Sequence, residues 1–227
     1  EKHTKLLEKL LDGDVEAVKE SPKVYILASV QLGRGKYRSA TRSDAQLLID
    51  AAEELAKCSL KEKEEGGDIR DYLPVAEIPD DNEVFKELRI YGIKFWHQLF
   101  NPRQLLALYK TTKHIRNRAA ELRRRYGELG AAAVLYLALA LAKIVNYNNV
   151  LTQWHRGSEV IAALVGSQYA LGRSVKLGYD YCEGNLVYRA PEWVLEVGEE
   201  NEEGEEEFEE VEATRGGILP VLRLLCG

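Results

Sequence analysis

The chain has 227 residues, 45% of them hydrophobic and 30% charged, so it is long enough to bury a core and too apolar for a disordered tail. The longest apolar stretch, 131–145, contains Lys143 and falls short of the roughly 18 to 20 residues that cross a bilayer. We therefore expect a cytoplasmic protein without a membrane partner. Cys58, Cys182 and Cys226 form no CxxC pair, which excludes a zinc ribbon built from this chain.

The net charge of −6 conceals a strong segregation of charge along the chain. Eleven of the 37 acidic residues lie in 196–212, which contains no Lys or Arg. Outside that acidic loop, basic residues outnumber acidic ones, so the body of the protein is able to approach nucleic acid.

The first part of the chain shows hairpin and helix signals. Leucines at helical spacing predict a helix over 5–11 that ends at Asp12-Gly13. The segment 23–31 (KVYILASVQ) is typical of a strand, and a turn at 33–35 leads to a return strand over 36–40. A helix then starts at Ser43, with Gln46 completing a capping box. Its apolar stripe consists of Leu47, Leu48, Ala51, Ala52 and Leu55.

The second half is dominated by helical patterns. Asn101 is a candidate N-cap before Pro102, and Gln104 completes a capping box, so we predict a helix over 102–126 that stops at Gly127. A second helix, over 129–154, is apolar nearly all round in its first half and should be buried. Ser158 is predicted to cap a third helix that ends near Tyr169.

These elements predict an α+β fold that is predominantly α, with a small hairpin-plus-helix portion followed by a helical bundle with a few short strands. We divide the chain into a small α+β portion (1–80), a helical domain (81–195), the acidic loop (196–212) and a C-terminal segment (213–227).

The helix over 102–126 carries an unusual charge pattern. At about 100° per residue, its apolar residues share one face and six of its cations occupy the other, with Arg116 and Arg123 nearer the border, against a single acidic residue, Glu121. Such a face suits a phosphate backbone, because each contact releases condensed counterions. The predicted DNA-binding residues are Arg103, Lys110, Lys113, Arg116, Arg118, Arg123, Arg124 and Arg125. The alternative is a solvated face that pairs with the acidic loop.

Residues for catalysis are harder to find. No glycine-rich loop suited to S-adenosylmethionine or a dinucleotide is present, and His97, His114 and His155 lack the spacing of metal ligands. Asp180 and Glu183 are three residues apart, which permits acid–base chemistry or cation binding. Capping of a nearby helix, or a salt bridge to it, is the other interpretation of this pair. We predict no catalytic, cofactor-binding or metal-binding residue.

The segment YGIKFWHQLFNPRQLLAL (91–108) resembles a stretch of the large adenine-specific DNA methylases, a family whose members carry a zinc ribbon and a domain of unknown function. Four further stretches are similar to that family: KYRSAT (36–41), YLALAL with NYNN (136–149), QWH (153–155) and YDYCEGN (179–185). Tyr179 stands where the family has tryptophan, and Leu186 stands where it has proline.

The resemblance implies methyl transfer from S-adenosylmethionine to the N6 amine of adenine in DNA. The family's cofactor motif and its DPPY motif do not occur here, so the resemblance assigns this chain to the region between them, as a fragment that is inactive alone. It would be the DNA-contacting or target-recognition module, with S-adenosylmethionine bound by the complete enzyme. Its partners would be DNA and the catalytic segments of the same methylase or of a companion chain. The alternative is a structural or interaction module that packs against those segments without touching DNA.

Overall fold

The computed structural model describes residues 2–20, 29–33, 35–79, 88–155, 160–162 and 181–183. Of the described residues 70% are helical, with a few short strands, which confirms the predicted α+β, predominantly α fold class. The regular elements are helix α1 (Lys2–Leu11), strands β1 (Ser29–Gly33) and β2 (Lys36–Ser39), helices α2 (Arg42–Glu64) and α3 (Pro102–Tyr147), and strands β3 (Gln153–His155) and β4 (Val160–Ala162). Short 3-10 helices occur at Val15–Glu20, Ile69–Tyr72 and Trp96–Leu99.

Helices α1 and α2 pack together to form the core of the first half. Four leucines of α1 lie on one stripe and are fully buried: Leu6, Leu7, Leu10 and Leu11. They meet the buried face of α2, which includes Ala52 and Leu55. The hydroxyl of Ser59 donates a hydrogen bond of 2.6 Å to the carbonyl of Leu11, so a carbonyl at the end of α1 is satisfied inside the core.

The N-terminus of α2 differs from the sequence prediction. Its N-cap is Thr41, whose backbone N–H and hydroxyl both donate to the Asp44 carboxylate, so Ser43 and Gln46 are not the capping pair. Gln46 instead donates to Asp50, one turn further along the helix. Within the predicted apolar stripe Leu47 is exposed, while the other four residues are buried.

Two antiparallel hairpins complete the described fold. Strands β1 and β2 form the predicted hairpin, with Val30 opposite Arg38. Strand β3 pairs with β4, with Trp154 opposite Ile161. The predicted third helix is therefore wrong at Val160–Ala162, and the predicted second helix is wrong at 153–154, because backbone pairing between the two short strands prevails there. The segment 187–197, which the sequence favours as a strand, lies outside the described residues, as do the acidic loop and the C-terminal segment.

Helix α3 begins as predicted and contains one break. The Asn101 side chain accepts a hydrogen bond from the backbone N–H of Gln104, the Gln104 side chain accepts one from the N–H of Asn101, and Pro102 follows the cap. Gly127 has non-helical angles (φ 56°, ψ −128°), so the predicted stop is confirmed and α3 divides into a first arm (102–126) and a second arm (128–147). The second arm ends at Tyr147, seven residues earlier than predicted.

The second arm is not the buried helix that the sequence predicts. Gly130, Ala133 and Ala140 are buried, but its large apolar side chains are largely exposed: Leu129, Leu135, Tyr136 and Leu139. From the sequence we expected no apolar stretch long enough to cross a membrane. Helix Pro102–Tyr147 nevertheless contains a window that is long and apolar enough to do so, and 17% of that window is buried. That result rests on length and composition only, so one such helix is weak evidence for a span.

The chain divides into two compact units, and each is described by itself. Unit 1 comprises Glu1–Thr112 and Tyr147–Glu183, so it contains residues from both sides of the domain boundary predicted at residue 80. Unit 2 comprises Lys113–Asn146 and Gly184–Gly227. Its described part is the end of the first arm, the turn at Gly127 and most of the second arm.

We expect Gly130→Ala to destabilise unit 2 by about 1–3 kcal/mol, because a Cβ at this position would lie 2.0 Å from the Leu122 carbonyl oxygen, which is backbone and cannot move away cheaply. Urea unfolding followed by circular dichroism measures the change. Gly67→Ala is the matched control, since the nearest atom to its added Cβ lies at 3.5 Å. Equal stability of the two variants would contradict the close approach at Gly130.

Candidate functional site

The start of α3 is the centre of a buried polar cluster in unit 1. Asn101 is fully buried, and its side-chain oxygen is occupied by the N–H of Gln104. Its amide nitrogen therefore points away from the helix, donating to the Tyr181 hydroxyl at 2.9 Å and to the Glu183 carboxylate. One side chain thus caps a helix and holds a segment that lies 80 residues further along the chain.

Glu183 is also bound by Arg103. The Arg103 guanidinium donates through Nε to the second carboxylate oxygen of Glu183 at 2.7 Å, and both side chains are mostly shielded from solvent. Burial lowers the pKa of Arg103, but the bond to Glu183 and the neighbouring negative charges outweigh it, so the pKa is raised. The interpretation of Glu183 as a salt-bridge partner of a nearby helix is confirmed, while Asp180 lies outside the described residues.

Tyr181 and Cys182 are held to the segment that follows the second arm. The hydroxyl of Thr152 accepts a hydrogen bond from the Cys182 N–H and donates to the Cys182 carbonyl, while Val150 N–H donates to the Leu99 carbonyl. Burial and the charge of Glu183 raise the pKa of Tyr181 to about 12, so its phenol stays neutral. This tyrosine orients its neighbours by hydrogen bonding and carries no charge.

The hairpin contributes a second ion pair to unit 1. Arg38 on β2 binds the Asp44 carboxylate through two parallel hydrogen bonds of 2.6 and 2.7 Å. The Arg38 guanidinium and the Thr41 hydroxyl hold the pKa of Asp44 well below its usual range. The charge of Asp44 also acts on Arg103, and the Tyr37 ring meets the Trp154 ring edge-on at 6.3 Å.

The stretches similar to the methylase family therefore contact one another. Residues 36–41 touch 153–155 through Tyr37 and Trp154, and 91–108 touches 179–185 through Asn101 and Arg103. Gln104 also donates to the side chain of Asn148, in the NYNN stretch, at 3.2 Å. Sequence reasoning missed this organising role of Asn101, Tyr181 and Thr152. The similar stretches could have grouped Asn101 with Tyr181, but they do not include Thr152.

The cluster suits positioning better than acid–base chemistry. Both carboxylate oxygens of Glu183 are engaged, and the donors and acceptors of the Asn101 side chain are in use. No group of three His, Cys, Asp or Glu residues able to hold a metal ion occurs in the part of the chain that the structure describes. Cys58 and Cys182 are half-buried thiols that form no disulfide with any described residue.

A separate polar centre joins α1 to the Trp96–Leu99 turn. The Glu8 carboxylate accepts hydrogen bonds from the Arg70 guanidinium, the Gln98 amide and the ring of the buried His97, which lies at 2.7 Å. The bond from His97 is the largest cause that lowers the pKa of Glu8, to about 2. The charged carboxylate of Glu8 is thus tied to three segments that are distant in sequence.

The predicted DNA-binding residues fall into two groups. In unit 1, Arg103 is bound to Glu183, and Lys110 lies 2.9 Å from Glu54 on α2. In unit 2 five arginines of the first arm are exposed, and Lys113 is half-buried. The five are Arg116, Arg118, Arg123, Arg124 and Arg125.

Local contacts of the exposed arginines are few and lie on the surface. Arg118 pairs with Glu121 at 2.9 Å, and the Arg125 guanidinium lies 5.2 Å from the centre of the Tyr126 ring. Exposed pairs of this kind contribute roughly 0–1 kcal/mol, so they do not prevent a guanidinium from turning to another anion. Arg123 and Arg124 have no ion pair with any described residue.

Comparison of the chain with protein-family models, with curated proteins and with solved structures found no match.

Acidification should weaken unit 1 through Glu8. Its depressed pKa means that the charged carboxylate adds stability above the ordinary value near 4.5, and this stability is lost as the pH falls from there toward about 2. Glu8→Gln should therefore be less stable than the parent at pH 6 and closer to it at pH 3, as measured by urea midpoints. A stability difference that does not change with pH would contradict this role.

We expect Asn101→Asp to retain the helix cap and to disrupt the cluster, because the new carboxylate would face Glu183 where the amide donated. The loss should be about 1–3 kcal/mol at pH 8 and smaller at pH 4, because two facing carboxyls repel each other only when both are charged. Urea unfolding at the two pH values measures it. Asn117→Asp, on an exposed position of the first arm, adds the same charge as a control. Equal losses in the two variants would place the effect of Asn101 outside the cluster.

Proposed function

We propose that this chain is the DNA-contacting module of a DNA adenine-N6 methyltransferase whose catalytic segments lie elsewhere. The observation that carries the proposal is the exposed basic surface of the first arm, defined by Arg116, Arg118, Arg123, Arg124 and Arg125. Five exposed guanidinium groups lie within ten residues of one helix, against the single acidic residue Glu121, so this arm carries a dense positive charge that attracts phosphates. At about 100° per residue, Arg116 and Arg123 lie on one side of the helix and Arg118 and Arg125 on the other, with Arg124 between them.

Of the eight predicted residues, the proposal keeps the five exposed arginines of unit 2. Arg103 is left out because it is bound to Glu183 and both side chains are mostly shielded, so leaving the acid unpaired would offset the gain from a new phosphate contact. Lys110 forms an exposed pair with Glu54 in unit 1, and Lys113 is half-buried. Arg123 to Arg125 precede Gly127, where the helix breaks, so they lie at a turn of the chain. Guanidinium groups at this turn can contact a phosphate backbone even where the rest of the helix does not run along that backbone.

The methylase part of the proposal is supported by the contacts among the similar stretches. Unit 1 contains 36–41, 91–108 and the described parts of three further similar stretches, 147–149, 153–155 and 181–183, as expected if their resemblance to one family reflects a shared structural element, while YLALAL (136–141) belongs to unit 2. Enzymes that methylate a base must extrude it from the duplex, and a protein surface has to stabilise the distorted DNA. In the complete enzyme, S-adenosylmethionine and the catalytic segments would be supplied outside this chain.

A second candidate function is an interaction module that never touches DNA. The observation that favours it is the exposed apolar side of the second arm, since Leu129, Leu135, Tyr136 and Leu139 together form a patch typical of protein contacts. Under this alternative the exposed arginines bind acidic protein segments, among them the loop at 196–212.

DNA binding measured by fluorescence anisotropy at several salt concentrations separates the two functions. We expect affinity for a labelled duplex to fall steeply with salt. Arg123→Gln combined with Arg124→Gln should reduce the salt slope by about two units, because each phosphate that is no longer neutralised lowers it by roughly 0.9.

The matched control removes two positive charges from unit 1 instead of from the first arm. Lys9 and Lys19 pair with Glu20 and Glu16 in the first part of unit 1, so Lys9→Gln combined with Lys19→Gln should leave the slope unchanged. Equal effects of the two double variants would mean that only net charge matters, and no specific surface could then be assigned. Absence of binding even at low salt would favour the interaction module.

A further inference from the structure

The second arm has two apolar faces, and only one of them is covered. At about 100° per residue, the buried residues Gly130, Ala133 and Ala140 lie on one side of the helix. Leu135 and Leu139 lie on the opposite side and are 60% and 57% exposed. A helix in water that is apolar on both sides needs a second partner for its outer face.

The outer face carries the spacing of a coiled-coil seam. Ala132, Leu135, Leu139 and Ala142 follow one another at intervals of three, four and three residues, which is the a/d pattern of a helix that packs against another helix. Leu135 and Leu139 form the centre of the seam, with one alanine on either side. We propose that this seam is the interface of a homodimer in which the second arms of two copies pack antiparallel.

An antiparallel pair of identical arms gives complementary shapes along this seam. Leu135 would pack against Leu139 of the partner subunit, and Leu139 against Leu135 of the partner subunit. On both sides Ala132 would lie opposite Ala142 of the partner subunit, where two small side chains permit a close approach of the helices. The arrangement is isologous, so each half of the interface repeats the other and the assembly closes at two copies.

The charged residues at the two ends of the seam favour an antiparallel pair over a parallel one, and a protein partner over a lipid surface. Glu128 and Lys143 are exposed at opposite ends of the seam, on the same side of the helix as the leucines. In an antiparallel pair Glu128 comes within about one helical turn of Lys143 of the partner subunit, at both ends. A parallel pair would place Glu128 beside Glu128 of the partner subunit and Lys143 beside Lys143 of the partner subunit, so like charges would repel. A lipid surface would make no favourable contact with the acidic Glu128. Two copies of the seam are therefore complementary when the two helices run in opposite directions.

Sedimentation velocity of the full chain, at concentrations up to about 100 μM, tests the dimer, because an interface of micromolar Kd is populated there. We expect Leu139→Glu to raise the dimer Kd more than about tenfold, since it buries a charge in the seam. Glu128→Lys should also weaken the dimer by placing like charges together. Combining it with Lys143→Glu should restore the dimer by exchanging the two charges.

Leu47→Glu is the matched control, because Leu47 is 58% exposed and lies on α2, which belongs to unit 1 and not to the seam. Circular dichroism confirms that each variant is folded, as expected for changes at exposed positions. A monomer at every concentration, or a dimer that survives Leu139→Glu, would overturn the proposal. So would a monomer that floats with anionic vesicles in a Leu139-dependent manner, which would assign the face to lipid. None of these outcomes depends on DNA binding.

Discussion

The buried amide of Asn101 is the constraint around which unit 1 is organised. A buried amide that lacks a partner costs about 1–3 kcal/mol, so its oxygen and its nitrogen both have to find one inside the protein. The oxygen is used by the first turn of α3, which leaves the nitrogen facing Tyr181 and Glu183. The start of the longest helix and the segment at 181–183 are therefore fixed by the same side chain, and Arg103 receives its carboxylate partner as a consequence.

Most features that depend on neighbouring residues were predicted correctly from the sequence. Contacts between segments far apart in the sequence were not. The Asn101 cap, the break at Gly127 and the turn between β1 and β2 were predicted because each depends on residues within four positions of one another. Strands β3 and β4 were missed because three residues are too few to show a period. The Glu183 salt bridge was one of two interpretations, and its partner Arg103, which decides between them, lies 80 positions earlier in the sequence.

The second arm shows a different limit of sequence reasoning. Periodicity reports how apolar a helix is on each side, and it says nothing of what covers each side. Neither side of the second arm carries charge at its centre, yet only one side is buried. The buried side contains Gly130, Ala133 and Ala140, and the exposed side contains the outer leucines. The same limit applied to the basic residues, where Lys110 and Arg124 look alike in sequence. Only the structure shows that Lys110 lies 2.9 Å from Glu54, while Arg124 has no ion pair with any described residue.

Unit 2 presents opposite chemistry on the two arms of one helix, and the two proposals for it reinforce each other. A dimer closed through the second arm would carry two copies of the arginine-rich first arm on one particle. Binding of one copy to DNA would raise the effective concentration of the other along the same duplex, so affinity would increase without any new contact. The released counterions would be those of both surfaces, which would make the salt dependence of the dimer steeper than that of the monomer. A surface of five exposed arginines that is weak alone would thus become an effective DNA contact through the apolar seam, because self-association doubles the charge presented to the duplex.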